Sequence, residues 1–247
     1  MDRLTRHELK QDEFKESLDQ LEQYVAAHLK EIVTVAILAV VVVGSAVGLR
    51  YYLGEQESNA NLDLASALKT FQAYVGTFTP GSMPPGTESY PTAAERSKAA
   101  LQKFNAIVAK YRLFPRPKPV GIALYHAGLC ESSLGNSAAA INTLQEASRD
   151  RDREIASLAQ LALAEEFLKT GKTQEADRIY QNLADHPTLT VSRASALLAL
   201  ADSFKNSQPA RARQLYDQIR KEFGSERAVA QILSEETAEA PPSGGGQ

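Results

Sequence analysis

The chain has 247 residues and a formal net charge of −3, with 43% hydrophobic and 23% charged side chains. Its 27 Lys and Arg are dispersed among 30 Asp and Glu, and Trp is absent, so no basic nucleic-acid-binding patch is expected. The single cysteine, Cys130, excludes an intramolecular disulfide and leaves the redox compartment open.

In chain order, residues 1–30 read as a cytoplasmic amphipathic helix. Phe14, Leu18, Leu21, Val25, His28 and Ile32 recur at alternating steps of four and three, the spacing of one helical stripe. From Glu8 to Glu22 the acids outnumber Lys10 and Lys15, so anionic lipid would repel this face. The stripe is better suited to a partner helix or a second copy.

Residues 31–53 read as a transmembrane anchor. Ile32 to Leu49 carries no charge, and only Thr34 and Ser45 are polar. At 1.5 Å per residue the run spans roughly 27 Å, close to the thickness of a hydrocarbon core. Lys30 and Glu31 precede it; Arg50, Tyr51 and Tyr52 follow as a snorkelling cation and paired interfacial aromatics. A core helix would interrupt the run with a polar stripe, and a signal peptide would have a shorter apolar stretch and a short basic leader. "GSAV" at Gly44 to Val47 keeps a cleavable signal as the alternative. Lys and Arg are more frequent before the span than just after it, which points to a cytoplasmic N-terminus. Gly44 and Gly48 form a G-x-x-x-G along which a second membrane helix can approach.

From residue 54 to 233 the expectation is helix throughout, since Ala, Leu, Glu, Gln and Lys dominate without β-type alternation. Aligning "LGNSAAAINTLQEA", "TGKTQEADRIYQNL" and "NSQPARARQLYDQI" exposes a repeat of thirty-six residues. Ala140, Ala176 and Ala212 fall in register, followed by Leu144, Tyr180 and Tyr216, then Ala147, Leu183 and Ile219. Each unit reads as two helices around a turn, with Gly135 and Gly171 at the turns of the first two. One such pair cannot bury its apolar face alone, so the units must stack. Nearer the anchor, "LDLASALKTFQAYV" and "ERSKAALQKFNAIVAKY" form an irregular unit with Ala100, Phe104 and Ile107 in the second-helix pattern. The loop 77–92 between them holds four prolines and two glycines and reads as an insertion. Residues 234–247 have the composition of a disordered tail.

These positions resemble the tetratricopeptide repeat. "LYHAGLCESSLGNSAAAINTLQEA", Leu124 to Ala147, carries the Leu, small-Gly, turn Gly, Ala, Leu and Ala of that family in order. The period is thirty-six instead of thirty-four, Ala164 and Leu200 replace the second-turn Gly, and Ser207 replaces the last turn Gly. The fold class expected is therefore all-α: one transmembrane helix followed by an α-solenoid of divergent tetratricopeptide-like helix pairs. The order of parts over residues 14–223 is similar to the YfgM-like ancillary subunits of the SecYEG translocon. That resemblance implies a bacterial inner-membrane protein with a periplasmic repeat domain, working beside the secretion channel with periplasmic chaperones.

Residues with catalytic or metal-binding pattern are not found. The histidines at 7, 28, 126 and 186 lie in separate elements, and HExxH, phosphate-loop, nucleophile-elbow and CxxC signatures are absent. His126 and Cys130 sit at i, i+4 without a third ligand nearby, which favours a packed Cys beside a half-exposed His. Glu165 and Glu166 read as a solvated helix edge. The expectation is a non-enzyme without cofactor, metal or nucleic acid, whose partners are proteins: translocon subunits, chaperones, clients, or a second copy. Carrying over the concave positions of the family gives a partner-binding groove of Tyr125, Leu129, Leu161, Glu165, Leu168, Leu197, Ala201 and Phe204. Such a lining is apolar and aromatic and suits hydrophobic polypeptide segments; the alternative is that neighbouring helices cover it. A self-associating membrane scaffold, joined through the N-terminal stripe and Gly44/Gly48, is the second reading of function.

Overall fold

The computed structural model describes residues 24–77, 86–112 and 116–225. Phe14, Leu18 and Leu21 of the N-terminal stripe, the centre of the 77–92 loop and the tail 234–247 lie outside the described residues. The chain divides between Glu55 and Gln56 into two units.

Helix α1 (Leu29–Phe71) starts in the first unit and ends in the second, 43 residues without a break. In the first unit it contains an 18-residue stretch of mean hydropathy 2.7 with none of its residues buried. It is long and apolar enough to cross a membrane.

In the second unit the end of α1 becomes ordinary amphipathic helix: Ala60, Leu64 and Ala67 are buried on one stripe. They pack with α2 (Ala93–Lys110) and α3 (Lys118–Ser133) around Phe104, Ile107, Val120 and Leu124. Between α1 and α2 the helical expectation for residues 62–75 holds to Phe71 and needs correction beyond it. The helix stops at Phe71, and Tyr74–Val75 (β1) pairs in parallel with Ser89–Tyr90 (β2). The buried Thr70 hydroxyl reaches Glu88, whose carboxylate also accepts from Tyr90. This bond carries the returning strand back beside the helix end. Tyr and Val suit extended backbone, and Gly76 at φ 141 ends the pair.

Six helices complete the repeat. α3 pairs with α4 (Ser137–Ala147), α5 (Arg153–Lys169) with α6 (Thr173–Asp185), and α7 (Arg193–Phe204) with α8 (Pro209–Phe223). Each also packs on the next in the chain, and α3 reaches α5, the neighbour-to-neighbour contact pattern of a solenoid. The thirty-six-residue register lands in the interior: Ala140, Ala176 and Ala212 are buried, as are Leu144 and Tyr180, then Ala147, Leu183 and Ile219. Tyr216 is the partial exception, half-buried against the last helices. Gly128 supplies the close crossing of α3 and α4, because a Cβ there would stand 2.6 Å from Leu144 Cγ.

The turns explain the glycines. Gly135 and Gly171 have φ of 77 and 78, the left-handed cap that an L-residue adopts at a cost. The third turn lacks glycine and takes another route: Lys205 stays right-handed and helical, and Gln208 at φ −139 carries the chain into α8, which opens on Pro209.

Candidate partner-binding site

Of the eight groove positions, the structure brings five to accessible surface. Tyr125 and Leu129 on α3 and Leu161 and Leu168 on α5 are half-buried around one core cluster. They stay together because α3 and α5 touch directly. Glu165, one turn from Leu161 and Leu168, is exposed on the same helix. Enough protein surrounds its carboxyl that desolvation raises its pKa, with Lys169 opposing and Glu166 adding to the shift. Burial, then the Glu165 charge, pushes the Tyr125 phenol up. Tyr180 is raised in the same way, by burial and then by Glu165, Asp177 and Asp202. The face is therefore mixed: apolar and aromatic in the middle, with the Glu165 carboxylate close enough to act on Tyr125.

The other three positions are corrected by the structure. Leu197, Ala201 and Phe204 are buried, at 2%, 0% and 0% exposure. Leu197 belongs to the cluster with Ala184 and Ile219, and Phe204 to the cluster with Tyr180 and Ala212. On α7 the carried-over register therefore faces α6 and α8, and these side chains hold the last units together. They do not line a groove.

Glu166 also departs from expectation. It is buried, and its carboxylate accepts from Ser132 on α3 and from Lys169 one turn along α5. Its second oxygen is buried and finds no hydrogen-bond partner at short range among the described residues. Burial alone would raise this acid; hydrogen bonds from Lys169 and Ser132 outweigh it and hold the carboxyl below its usual range. The Ser132–Glu166 hydrogen bond, with the carboxylate held by Lys169 of its own helix, is thus a rivet between the first and second units of the repeat.

His126 and Cys130 lie on α3 in packing roles. The imidazole stacks on Phe104 with centroids 5.4 Å apart and meets Phe71 edge-on at 4.9 Å. Burial lowers its pKa. The Cys130 thiol is buried and pushed up to about 11, chiefly by desolvation. Among the described residues no group of three or more His, Cys, Asp or Glu is gathered as a metal site would require.

In the first unit, a Cβ built on Gly44 or Gly48 would have nothing within 4 Å. The G-x-x-x-G face is open along the helix.

One basic surface was not foreseen. Arg112, Arg116 and Lys118, from the α2–α3 connection and the start of α3, line a cleft with Arg149, Arg151 and Arg153 from the α4–α5 connection and the start of α5. Aspartates interleave the second run, which hides it in any linear charge count.

The helix pairs and their stacking define an α-solenoid, a class built for protein contacts through exposed helix faces and edges. A tetratricopeptide repeat family model matches residues 195–225, which covers nearly all of α7 and the whole of α8. This helix pair is thus similar to a protein-interaction repeat. No curated protein and no solved structure matches the chain.

Proposed function

We propose that this chain is a membrane-anchored protein–protein interaction module, an accessory subunit at the secretion translocon that binds chaperones or emerging polypeptides through its repeat domain. Residues 31–53 are the anchor, the N-terminus is cytoplasmic and the repeat domain periplasmic. The single observation that carries the reading is the pairing of an uncovered apolar helix with a repeat face of half-buried Tyr125, Leu129, Leu161 and Leu168. Large apolar side chains left uncovered on a helix call for lipid or protein. Tethering raises the effective concentration of partners at the membrane, so weak contacts across this face suffice. Translocon placement comes from the resemblance in the order of parts, together with the charge bias around the span.

The test is a brief crosslink in native membranes, gentle solubilisation of the full chain and identification of what copurifies. Translocon subunits and membrane-anchored chaperones are expected. They are expected to be lost in the Leu129→Glu, Glu165→Lys double variant while helicity is retained. Glu165 is exposed and Leu129 half-buried against the core, so the retained circular dichroism separates loss of the face from loss of the fold. Recovery of the chain alone would replace this reading with a self-associating scaffold, joined through the open Gly44/Gly48 face.

A further inference from the structure

The basic cleft is a second surface, separate from the face on α3 and α5. Its volume is about 740 Å3, in the range of sites that enclose a ligand larger than a single inorganic ion. Local acids satisfy only part of its charge. Arg116 pairs with Glu146 at 2.9 Å and Lys118 with Asp152 at 3.6 Å. Asp152 also caps α5 by accepting from the Glu154 N–H. Asp150 accepts from the Asp152 N–H, and its other oxygen lies against Gly121 in the first turn of α3, at the positive end of that helix. Both aspartates are thereby committed to backbone donors and helix ends. Arg112, Arg149 and Arg153 are exposed and make no ion pair or side-chain hydrogen bond among the described residues.

Guanidinium groups gathered in one concavity repel each other, and an anion that enters relieves that repulsion. The shape and chemistry of the cleft choose among anions. Its cations come from two separate stretches of chain, so a ligand seated between them meets positive charge from both. Among the described residues no aromatic side chain lines the cleft as a platform on which nucleic-acid bases could stack. Arginine forks match carboxylates two bonds at a time. We propose that this cleft binds an acidic segment of a partner polypeptide, a short run of Asp and Glu. The inference rests on reading the repeat domain as a polypeptide-binding module and adds a second, electrostatic contact to it.

The test uses the full chain in neutral phosphatidylcholine nanodiscs and fluorescein-labelled hexaglutamate, read by anisotropy. Saturable binding is expected, weakening as salt rises. The Arg149→Glu, Arg153→Glu double variant is expected to bind about tenfold more weakly or worse, with its circular dichroism unchanged. Equal affinity in the double variant would overturn the proposal. So would arginine-dependent binding of inorganic phosphate or dioctanoyl phosphatidylglycerol without binding of hexaglutamate, which would make the cleft a phosphate or lipid-headgroup site. If partners still copurify in the crosslinking experiment while hexaglutamate fails to bind, the cleft proposal falls and the interaction-module reading stands.

Discussion

Val40 in the first unit and Phe204 in the second are both apolar residues in the middle or at the end of a helix, yet Val40 is 72% exposed and Phe204 is fully buried. In the 18-residue apolar stretch of the first unit the apolar residues run all around the helix and none is buried in protein. In the repeat domain apolar residues occupy a stripe, alternate with charge, and are covered by the next helix in the chain. Hydrophobicity alone does not separate the two regions; its period does. A helix apolar on every side needs an apolar solvent, whereas a striped helix needs a neighbour.

The sharpest way to break this comparison is to remove apolar volume from each region in turn. Phe204→Ala is expected to destabilise the repeat domain by about 3–5 kcal/mol, since it empties a closed core site. Val40→Ala is expected to change that same unfolding transition by less than about 0.5 kcal/mol. Urea unfolding of the full chain in neutral micelles, followed by circular dichroism, measures both. Similar losses for the two variants would erase the distinction.

A smaller effect probes the polar exception inside the repeat. Glu166→Gln keeps the shape but weakens the bonds from Lys169 and Ser132, at an expected cost of about 1–3 kcal/mol near neutral pH. The folded-state pKa of Glu166 is depressed below the ordinary glutamate value of 4.5. Its contribution is therefore present above about pH 4.5 and lost as pH falls through the folded value. The stability–pH curve of the variant should be flatter on that acid limb. An unchanged acid limb would show that Glu166 is not the rivet described.

The smallest expected effect is at His126. Its pKa is lowered from 6.5 by burial, so the neutral ring fits the fold and protonation favours the unfolded chain. Its contribution is complete above about pH 6.5 and declines as pH falls from there. His126→Phe should remove that decline and alter stability at neutral pH by less than about 1.5 kcal/mol. A variant that still loses stability over the same pH interval would assign the titration elsewhere.

Much of the fold was legible in the sequence because a stacked repeat writes its contacts into a fixed period. Ala140, Ala176 and Ala212 could be paired from spacing alone, and Gly135 and Gly171 announce turns that need positive φ. What was not legible depends on contacts between segments distant in the chain. The basic cleft joins residues 112–118 to 149–153, and neither segment is conspicuous by itself. Glu166 looks like one half of a surface pair with Glu165 until Ser132, thirty-four positions earlier, is placed against it. The small strand pair escaped because it rests on the Thr70–Glu88 bond across the loop. The groove positions on α3 and α5 reach the surface, but on α7 Leu197, Ala201 and Phe204 turn toward the flanking helices, a rotation that a repeat period cannot specify.

The most direct test is whether one intact chain occupies both environments at once. Membranes from expressing cells would be washed with alkaline carbonate, and the chain in pellet and supernatant weighed by intact-mass spectrometry. The full-length chain is expected in the pellet, with residues 32–49 still attached to the repeat domain. A chain shortened near Gly44 to Val47 and released to the supernatant would contradict the anchor, and the apolar run would then be a signal sequence.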